Sequence, residues 1–225
     1  MGKNKLFKFA EIKKMSHVFE PTMEDIRDGM TEWKGKWCER IFQNEHPITL
    51  ELGCGKGEYT VGMARKYPNR NFIGVDIKGN RIFVGAKQAL DEGLENVFFI
   101  RTKIDMITHF FDKDEVDEIW LTFSDPQPNK PNKRLTSRSF IERYLQFLKP
   151  NGIIHLKTDS DLLFESTQKE IGEYKYNVLF SSDDIYRDIT QLSPDEQEIL
   201  SFKTHYEKLF VSRGSVIKYC KFRVG

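Results

Sequence analysis

Short apolar runs of strand length, separated by stretches with helical periodicity, begin near residue 47 and constrain this chain more than any other feature. The runs are rich in β-branched or aromatic residues, and they are close to continuously apolar rather than alternating. Strands of that kind are typical of a mostly parallel sheet with helices on both faces. The predicted strands of this part are residues 47–52, 71–76, 96–101, 118–123 and 152–158.

The segments between and after these strands complete the predicted architecture. Residues 78–90 and 136–148 carry apolar side chains at a spacing near 3.6, which predicts two helices. Residues 174–181 and 215–224 predict two further strands with a helical insert between them, which we expect to pair as an antiparallel edge hairpin. The sequence therefore predicts an α/β fold with a doubly wound, mostly parallel seven-stranded sheet and an antiparallel edge.

The chain length and the cysteine pattern indicate how the protein is organised. A chain of 225 residues corresponds to about one domain. We expect this domain at residues 21–225, after a basic, flexible tail of residues 1–20, with a helix over residues 20–45 at the sheet edge. No apolar run approaches ~18 residues, the N-terminus lacks a signal-peptide core, and three dispersed cysteines have no metal-binding spacing. We therefore expect a cytoplasmic protein without a membrane span or a metal site.

The first predicted strand runs into a turn with closely spaced glycines, which is typical of a nucleotide-binding site. Gly53 and Gly55 follow Glu51 in a G-x-G-x-G pattern, which differs from the G-x-G-x-x-G of dinucleotide-binding enzymes. Glycines let the backbone approach a ligand closely, and the helix that follows offers free N–H groups. A carboxylate just before the turn suits a ligand with a cationic amino acid end rather than a pyrophosphate.

Acidic residues also follow the next two predicted strands. Asp76 ends the second strand, where a carboxylate can accept hydrogen bonds from both hydroxyls of a ribose. Asp105 follows the third strand, where it can reach an adenine amine. Each residue alone also fits a simple turn or strand cap. Their ordered combination predicts a pocket for adenosine joined to an amino acid and a positive charge, which is S-adenosylmethionine (SAM).

The fourth predicted strand leads into a proline-stiffened loop with the sequence SDPQPNK. Ligands of open α/β sheets lie beyond the carboxyl ends of the strands, so we expect Asp125 beside the cofactor. Pro126 and Pro128 restrict the loop on either side of Gln127. The alternative is a capped turn with a solvated carboxylate, but the basic stretch that follows favours a functional loop.

Six motifs in a fixed order carry a resemblance to a known family: ELGCGKGEYT, GVD, FSDPQP, KRLTSRSFIERYLQFLKPNG, HLKTD and THYEKLFVSRG. They resemble the bacterial tRNA (guanine-N7-)-methyltransferases over about residues 15–222. The resemblance implies a Rossmann-like class I SAM-dependent methyltransferase that methylates a guanine in the tRNA variable loop. It also implies that Glu51, Asp76, Asp105 and Asp125 contact the cofactor and that Asp125 is the catalytic residue.

The same resemblance implies substrate contacts in the last two motifs. Guanine N7 carries an exposed lone pair, and its methylation produces a cationic base, so a carboxylate would stabilise the charge or orient the guanine. Asp125 and Asp159 both fit this role. The implied substrate contacts are Asp159, Thr204, His205, Tyr206 and Glu207.

The loop after Asp125 departs from the family pattern at two positions. The family commonly has Trp where this chain has Gln127, and a substrate-binding Lys where this chain has Asn129. Lys130 is therefore the first candidate to replace that lysine. Lys133 or Arg134 is the second.

Basic residues are concentrated in three segments although the formal net charge is only +1. Residues 1–14, 130–143 and 203–223 each hold at least five Lys or Arg residues and a single acid. This segregation either forms one basic face, which suits a polyanion, or leaves three separate solvated surfaces. With tRNA as the partner, the expected phosphate contacts are Lys133, Arg134, Arg138 and Arg213.

Two other functions stay open from the sequence. An exocyclic-amine base methyltransferase would carry Asp-Pro-Pro-aromatic after the fourth strand, whereas this chain has Asp-Pro-Gln-Pro. A non-catalytic RNA-binding module would keep the fold without turnover, although the intact glycine turn and acids disfavour it. The sequence does not decide between a monomer and a homodimer.

Overall fold

Eight strands form a single sheet in the part of the chain that the structure, a computed structural model, describes: residues 3–27 and 32–224. In chain order they are β1 (Val18–Phe19), β2 (Ile48–Leu52), β3 (Asn71–Asp76), β4 (Val97–Arg101), β5 (Val116–Thr122), β6 (Leu148–Thr158), β7 (Asn177–Ser182) and β8 (Lys218–Arg223). Across the sheet the order is β1-β4-β3-β2-β5-β6-β8-β7. All pairs are parallel except β6 with β8 and β8 with β7, which are antiparallel.

Helices cover both faces of the sheet. Side chains of β4 alternate between two apolar clusters, with Phe98 and Ile100 in one and Val97 and Phe99 in the other, as expected for a strand buried on both sides. The α-helices of the described residues are α1 (Lys3–Ile12), α2 (Met23–Arg27), α3 (Glu58–Lys66), α4 (Gly79–Asp91), α5 (Arg138–Tyr144), α6 (Asp161–Tyr174), α7 (Ile185–Asp188), α8 (Pro194–Ser201) and α9 (His205–Val211).

The predicted doubly wound α/β fold with an antiparallel edge is confirmed, with one more strand than the seven expected. The additional strand is β1, whose two residues are too few to show a strand pattern in the sequence. The helix predicted over residues 136–148 ends at Tyr144 instead, because Leu148 pairs with Val116 and begins β6. The helical insert of the predicted hairpin is α7, α8 and α9.

The N-terminal region contains more regular structure than the sequence indicates. Within the expected tail, α1 packs against α4, and Ile12 at its end is completely buried. The helix expected over residues 20–45 is divided into α2 and a π-helix at Trp37–Phe42, with residues 28–31 outside the described residues. The division into a flexible tail and a domain at residues 21–225 stays a prediction.

Residues 3–27 and 32–224 can be searched for a membrane-spanning helix and for a metal-binding cluster. Among these residues, no helix has both the length and the apolar character that a membrane span requires. The same residues contain no group of three or more His, Cys, Asp or Glu side chains arranged to hold a metal ion.

Candidate cofactor and substrate site

A cleft of about 710 Å³ opens at the carboxyl ends of β2 to β5, and we call it the carboxyl-end cleft. The chain leaves β2 toward β3 on one side and β5 toward β6 on the other, so the cleft lies where ligands bind in open α/β sheets. Its volume is in the range of small-ligand sites. The predicted site residues that line it are Gly53, Asp76, Asp105, Asp125, Lys130 and Lys133.

The glycine turn leaves open space where side chains would otherwise project. Gly53 and Gly55 have φ values of 83° and 56°, a left-handed conformation that favours glycine. A Cβ atom at either position would meet no atom within 4 Å. The backbone N–H of Gly53 donates to the carbonyl of Val75 at 2.8 Å, which fixes the turn to β3. The turn therefore gives a ligand close access to the backbone.

Asp76 is fixed at the floor of the carboxyl-end cleft. Its carboxylate accepts one hydrogen bond from the N–H of Gly55 at 2.9 Å and one from the N–H of Lys78 at 2.7 Å. The residue is only 8% exposed. Each carboxylate oxygen retains acceptor capacity for a ligand, because a carboxylate offers about four lone-pair sites.

Asp105 and Lys133 form an ion pair on the wall of the cleft. Asp105 lies in the short 3₁₀ helix Ile104–His109 after β4, and Lys133 lies in another at Pro131–Lys133. The hydrogen bond from Lys133 lowers the pKa of Asp105 below its usual value. Asp105 is therefore a carboxylate at neutral pH, next to a cation that belongs to the basic segment.

Asp125 lies on the exposed loop after β5. The N–H of Gln127 donates to its Oδ1 at 2.9 Å, so the carboxylate closes a tight turn with one oxygen occupied. Phe123 and Gln127 on either side have φ values of 51° and 45°, which are uncommon for residues other than glycine. Such conformations persist only where the surrounding structure imposes them, and they are frequent at functional sites.

Glu51 is buried beneath the glycine turn and does not line the cleft. Its carboxylate accepts hydrogen bonds from the N–H of Thr60 at 2.9 Å and from the hydroxyls of Thr60 and Thr122. Burial raises the pKa of Glu51 to about 7. The structure thus places Glu51 between α3 and β5, and its contact with a cofactor stays a prediction.

The implied substrate residues are less tightly grouped than the cofactor residues. Asn129 is exposed on the Asp125 loop, and Asp159 is half-buried after β6, where burial raises its pKa. Thr204 caps α9 by accepting a hydrogen bond from the N–H of Glu207 at 3.0 Å, and both residues are buried. The side chains of His205 and Tyr206 lie outside the described part of the chain.

The basic candidates differ in their surroundings. Arg134 is buried and donates to main-chain and side-chain oxygens of the protein. Arg138 pairs with Glu142 at 2.7 Å, whereas Arg213 is exposed. Lys130 and Lys133 are both exposed and line the cleft. These two lysines are the candidates that the structure brings to the site.

Several residues in the cleft lining or next to it were not indicated by the sequence. Phe210 of α9 lines the cleft, because the C-terminal insert folds back over β5 and β6. Lys157 is completely buried, and burial lowers its pKa to about 8. The sequence offered one indication of Lys157: it is a lysine near the end of the largely apolar predicted strand GIIHLKT. Further residues of the lining are Lys78, Lys103, Ile104, Phe123, Leu135 and Phe140.

The sheet order, the glycine turn and the acids at successive strand ends together define a class I SAM-dependent methyltransferase fold. Solved methyltransferases have the same fold. The 16S rRNA methyltransferase KamB matches with a TM-score of 0.62 at 13% identity, over 83% of this chain and 92% of that chain. A 30S ribosomal A1408 methyltransferase from an uncultured bacterium matches with a TM-score of 0.57 at 13% identity, over 83% of this chain and 92% of that chain.

Comparison of sequences identifies the family within this class. Residues 45–220 match the family model described as "Putative methyltransferase". The tRNA (guanine-N(7)-)-methyltransferase of Bacteroides thetaiotaomicron is 52% identical over 100% of this chain and 87% of its own length. The enzyme of the same name from Christiangramia forsetii is 47% identical over 99% of both chains. The chain therefore belongs to the tRNA (guanine-N7-)-methyltransferase family, which confirms the resemblance.

Proposed function

We propose that this protein transfers the methyl group of SAM to N7 of a guanine in the tRNA variable loop. The observation that carries the proposal is the carboxyl-end cleft, where Gly53, Asp76, Asp105 and Asp125 meet from four neighbouring strands. Relatives that share about half of the sequence over its full length are named tRNA (guanine-N(7)-)-methyltransferase, a name that gives the base and the atom but not the position in the tRNA. A cytoplasmic location and a monomeric or homodimeric state are further parts of the proposal.

The residues of the cleft fit SAM as the cofactor. Gly53 and Gly55 leave room beside the backbone, and Asp76 retains acceptors for ribose hydroxyls. Leu135 and Phe140 supply apolar wall for a purine, and Asp105 supplies an acceptor for its amine. When bound, SAM supplies an electrophilic methyl group on a sulfonium ion.

The chain's own residues have to place guanine N7 in line with that methyl group, about 3 Å away. Proton removal is not needed, because the N7 lone pair is free. Asp125 is exposed at the cleft with one carboxylate oxygen already held by Gln127. Its other oxygen is available to accept a guanine N–H and to stabilise the positive charge of the product. Asp159, half-buried after β6, is the second candidate for orienting the base.

Electrostatic attraction positions the tRNA around the cleft. Lys78, Lys103, Lys130 and Lys133 line it, so its rim is basic although the whole chain is nearly neutral. Contacts between lysines and phosphates fix the register of a nucleic acid and make binding dependent on salt. Lys130 is our candidate for the role that the family gives to a lysine at the position of Asn129.

The test is a methylation assay with purified protein, radiolabelled SAM and unmodified tRNA transcripts, followed by digestion and identification of the labelled nucleoside. Label in 7-methylguanosine, absent when the variable-loop guanine is replaced by adenine, would support the proposal. Label in another nucleoside would keep the cofactor and overturn the substrate position. Binding of SAM without any label in tRNA would favour a non-catalytic RNA-binding module.

A further inference from the structure

The buried side chain of Lys157 connects α3, the helix that follows the glycine turn, to the C-terminal helices α8 and α9. Lys157 on β6 has no exposed surface, and its Nζ has several partners from different elements. It donates to the hydroxyl of Tyr59 on α3 at 2.7 Å and to the carbonyl of Leu200 on α8 at 2.8 Å. It also forms an ion pair with Oε1 of Glu207 on α9 at 2.7 Å. One ammonium group thus joins three helices to the sheet.

The partner of Lys157 is as completely buried as the lysine itself. Glu207 has no exposed surface, and its Oε1 also accepts a hydrogen bond from the hydroxyl of Tyr186. Its Oε2 is buried without a hydrogen-bond partner among the described residues. A buried carboxylate that loses its ion-pair partner is strongly destabilised. Loss of the Lys157 charge would therefore favour movement of Glu207, and of α9 with it, out of this buried position.

The position of α9 matters because one of its side chains forms part of the site. Phe210 lines the carboxyl-end cleft, and its ring lies 6.1 Å from that of Phe123. The N–H of Phe123 donates to the carbonyl of Lys157 at 2.8 Å. Phe123 directly precedes the loop that carries Asp125, so the main chain of Lys157 borders this loop. The side chain of Lys157 forms the ion pair with Glu207 on α9.

We propose that Lys157 is a positioning residue for tRNA methylation, and that Glu207 acts through its ion pair with Lys157 rather than by touching the guanine. The pair keeps α9 docked, so that Phe210 closes the cleft beside Asp125. This inference rests on the proposed function, because it assigns the pair to recognition of the tRNA. It differs from the substrate contact that the family resemblance implies for Glu207.

The experiment compares Lys157→Met, Glu207→Gln and the double variant at pH 7, by the KM for tRNA, kcat and the dissociation constant of SAM. Each single variant leaves one buried charge without its partner, so we expect the KM for tRNA to rise at least tenfold. The double variant removes both charges and keeps similar volumes, so we expect its KM to return to within threefold of wild type. SAM affinity should stay within threefold throughout, because Gly53, Asp76 and Asp105 lie at or after the ends of β2, β3 and β4, whereas Phe210 of α9 packs against Phe123 beside the Asp125 loop.

Recovery in the double variant separates positioning from direct contact. If Glu207 touches the guanine, the double variant will be at least as impaired as Glu207→Gln, and that result overturns the inference. An unchanged KM in Lys157→Met overturns it as well. Tyr219→Phe is the matched control, since it removes a buried hydrogen bond to His155 away from the cleft. We expect this control to leave the KM for tRNA unchanged.

A milder variant keeps the inference testable if Lys157→Met does not fold. Tyr186 is half-buried, and Tyr186→Phe removes only the hydroxyl that donates to Glu207. We expect it to raise the KM for tRNA three- to tenfold with unchanged SAM affinity, and an unchanged KM contradicts the inference. A wild-type protein that neither binds nor methylates tRNA overturns the proposed function together with this inference. If the wild type methylates tRNA but the variants do not show the expected changes in the KM for tRNA, the inference alone is overturned.

Discussion

Arg134 donates a hydrogen bond from its Nε to the carbonyl oxygen of Pro126 across 3.0 Å, which anchors the residue next to Asp125. A second donor of the same guanidinium reaches Oγ of Ser166 on α6 at 2.8 Å. The side chain of Arg134 is therefore engaged inside the protein, whereas Lys133 directly before it is exposed and pairs with Asp105 on the wall of the cleft. Two neighbouring basic residues thus have different tasks, one holding the loop and the other facing the surroundings of the cleft.

This difference predicts that single variants at the two positions change different quantities, the salt dependence of tRNA binding in one and kcat in the other. Lys133→Ala should reduce the slope of log binding constant against log salt for tRNA by about one, because one phosphate contact is lost. Arg134→Ala should leave this slope unchanged and lower kcat at least tenfold, because the Asp125 loop loses its anchor. Filter binding at several salt concentrations and kcat, both at saturating SAM, check the two expectations. An unchanged slope in Lys133→Ala would mean that this lysine does not contact tRNA.

Replacement of Asp125 tests its role in methyl transfer. Asp125→Ala should abolish turnover while the dissociation constant of SAM stays within about tenfold, because Asp125 lies outside the glycine turn and is exposed. Asp125→Asn keeps an acceptor for the N–H of Gln127 and removes only the charge. Turnover by the asparagine variant close to that of wild type would show that the loop geometry matters and the negative charge does not. Near-normal turnover in Asp125→Ala would contradict the catalytic assignment.

The sequence was most informative where a strand is buried on both faces. The central strands β2 to β5 and the cleft acids Asp76, Asp105 and Asp125 follow from apolar runs and from the residues at their ends. A parallel sheet brings all these ends to one edge, so linear order is enough to place them together. For this reason the glycine turn and the three acids predict a SAM site from their order in the sequence alone.

Contacts between distant segments could not be predicted in the same way. Gly57 is required because a Cβ there would lie 2.8 Å from the ring of Phe99, which depends on how α3 packs on β4. The burial of Glu207 against Lys157 depends on the path of the C-terminal insert, which no local pattern records. The same holds for Arg134, whose basic side chain is expected at the surface until its partners are known.

A pair of glycine substitutions tests whether the open space at the turn belongs to the cofactor. Gly53 and Gly93 both have positive φ values, 83° and 65°, and a Cβ at either would meet no atom within 4 Å. Alanine at each position should cost about 1 kcal/mol of folding free energy through backbone strain. Only Gly53→Ala should weaken SAM binding, by at least tenfold, because Gly53 lines the cleft and Gly93 does not. Equal SAM affinities of the two variants, measured by calorimetry, would place the cofactor elsewhere.

The buried carboxyl of Glu51 should make stability depend on pH. Burial raises its pKa from the usual 4.5 to about 7, so the folded state holds the proton more tightly than the unfolded state. Its contribution is complete below pH 4.5 and is lost as the pH rises through 7. Glu51→Gln removes this titration, and the variant should gain up to about 3 kcal/mol on wild type between pH 5 and 8. Urea unfolding of both proteins without SAM at these pH values checks this, and a difference that does not change with pH would show that Glu51 stays ionised in the folded protein.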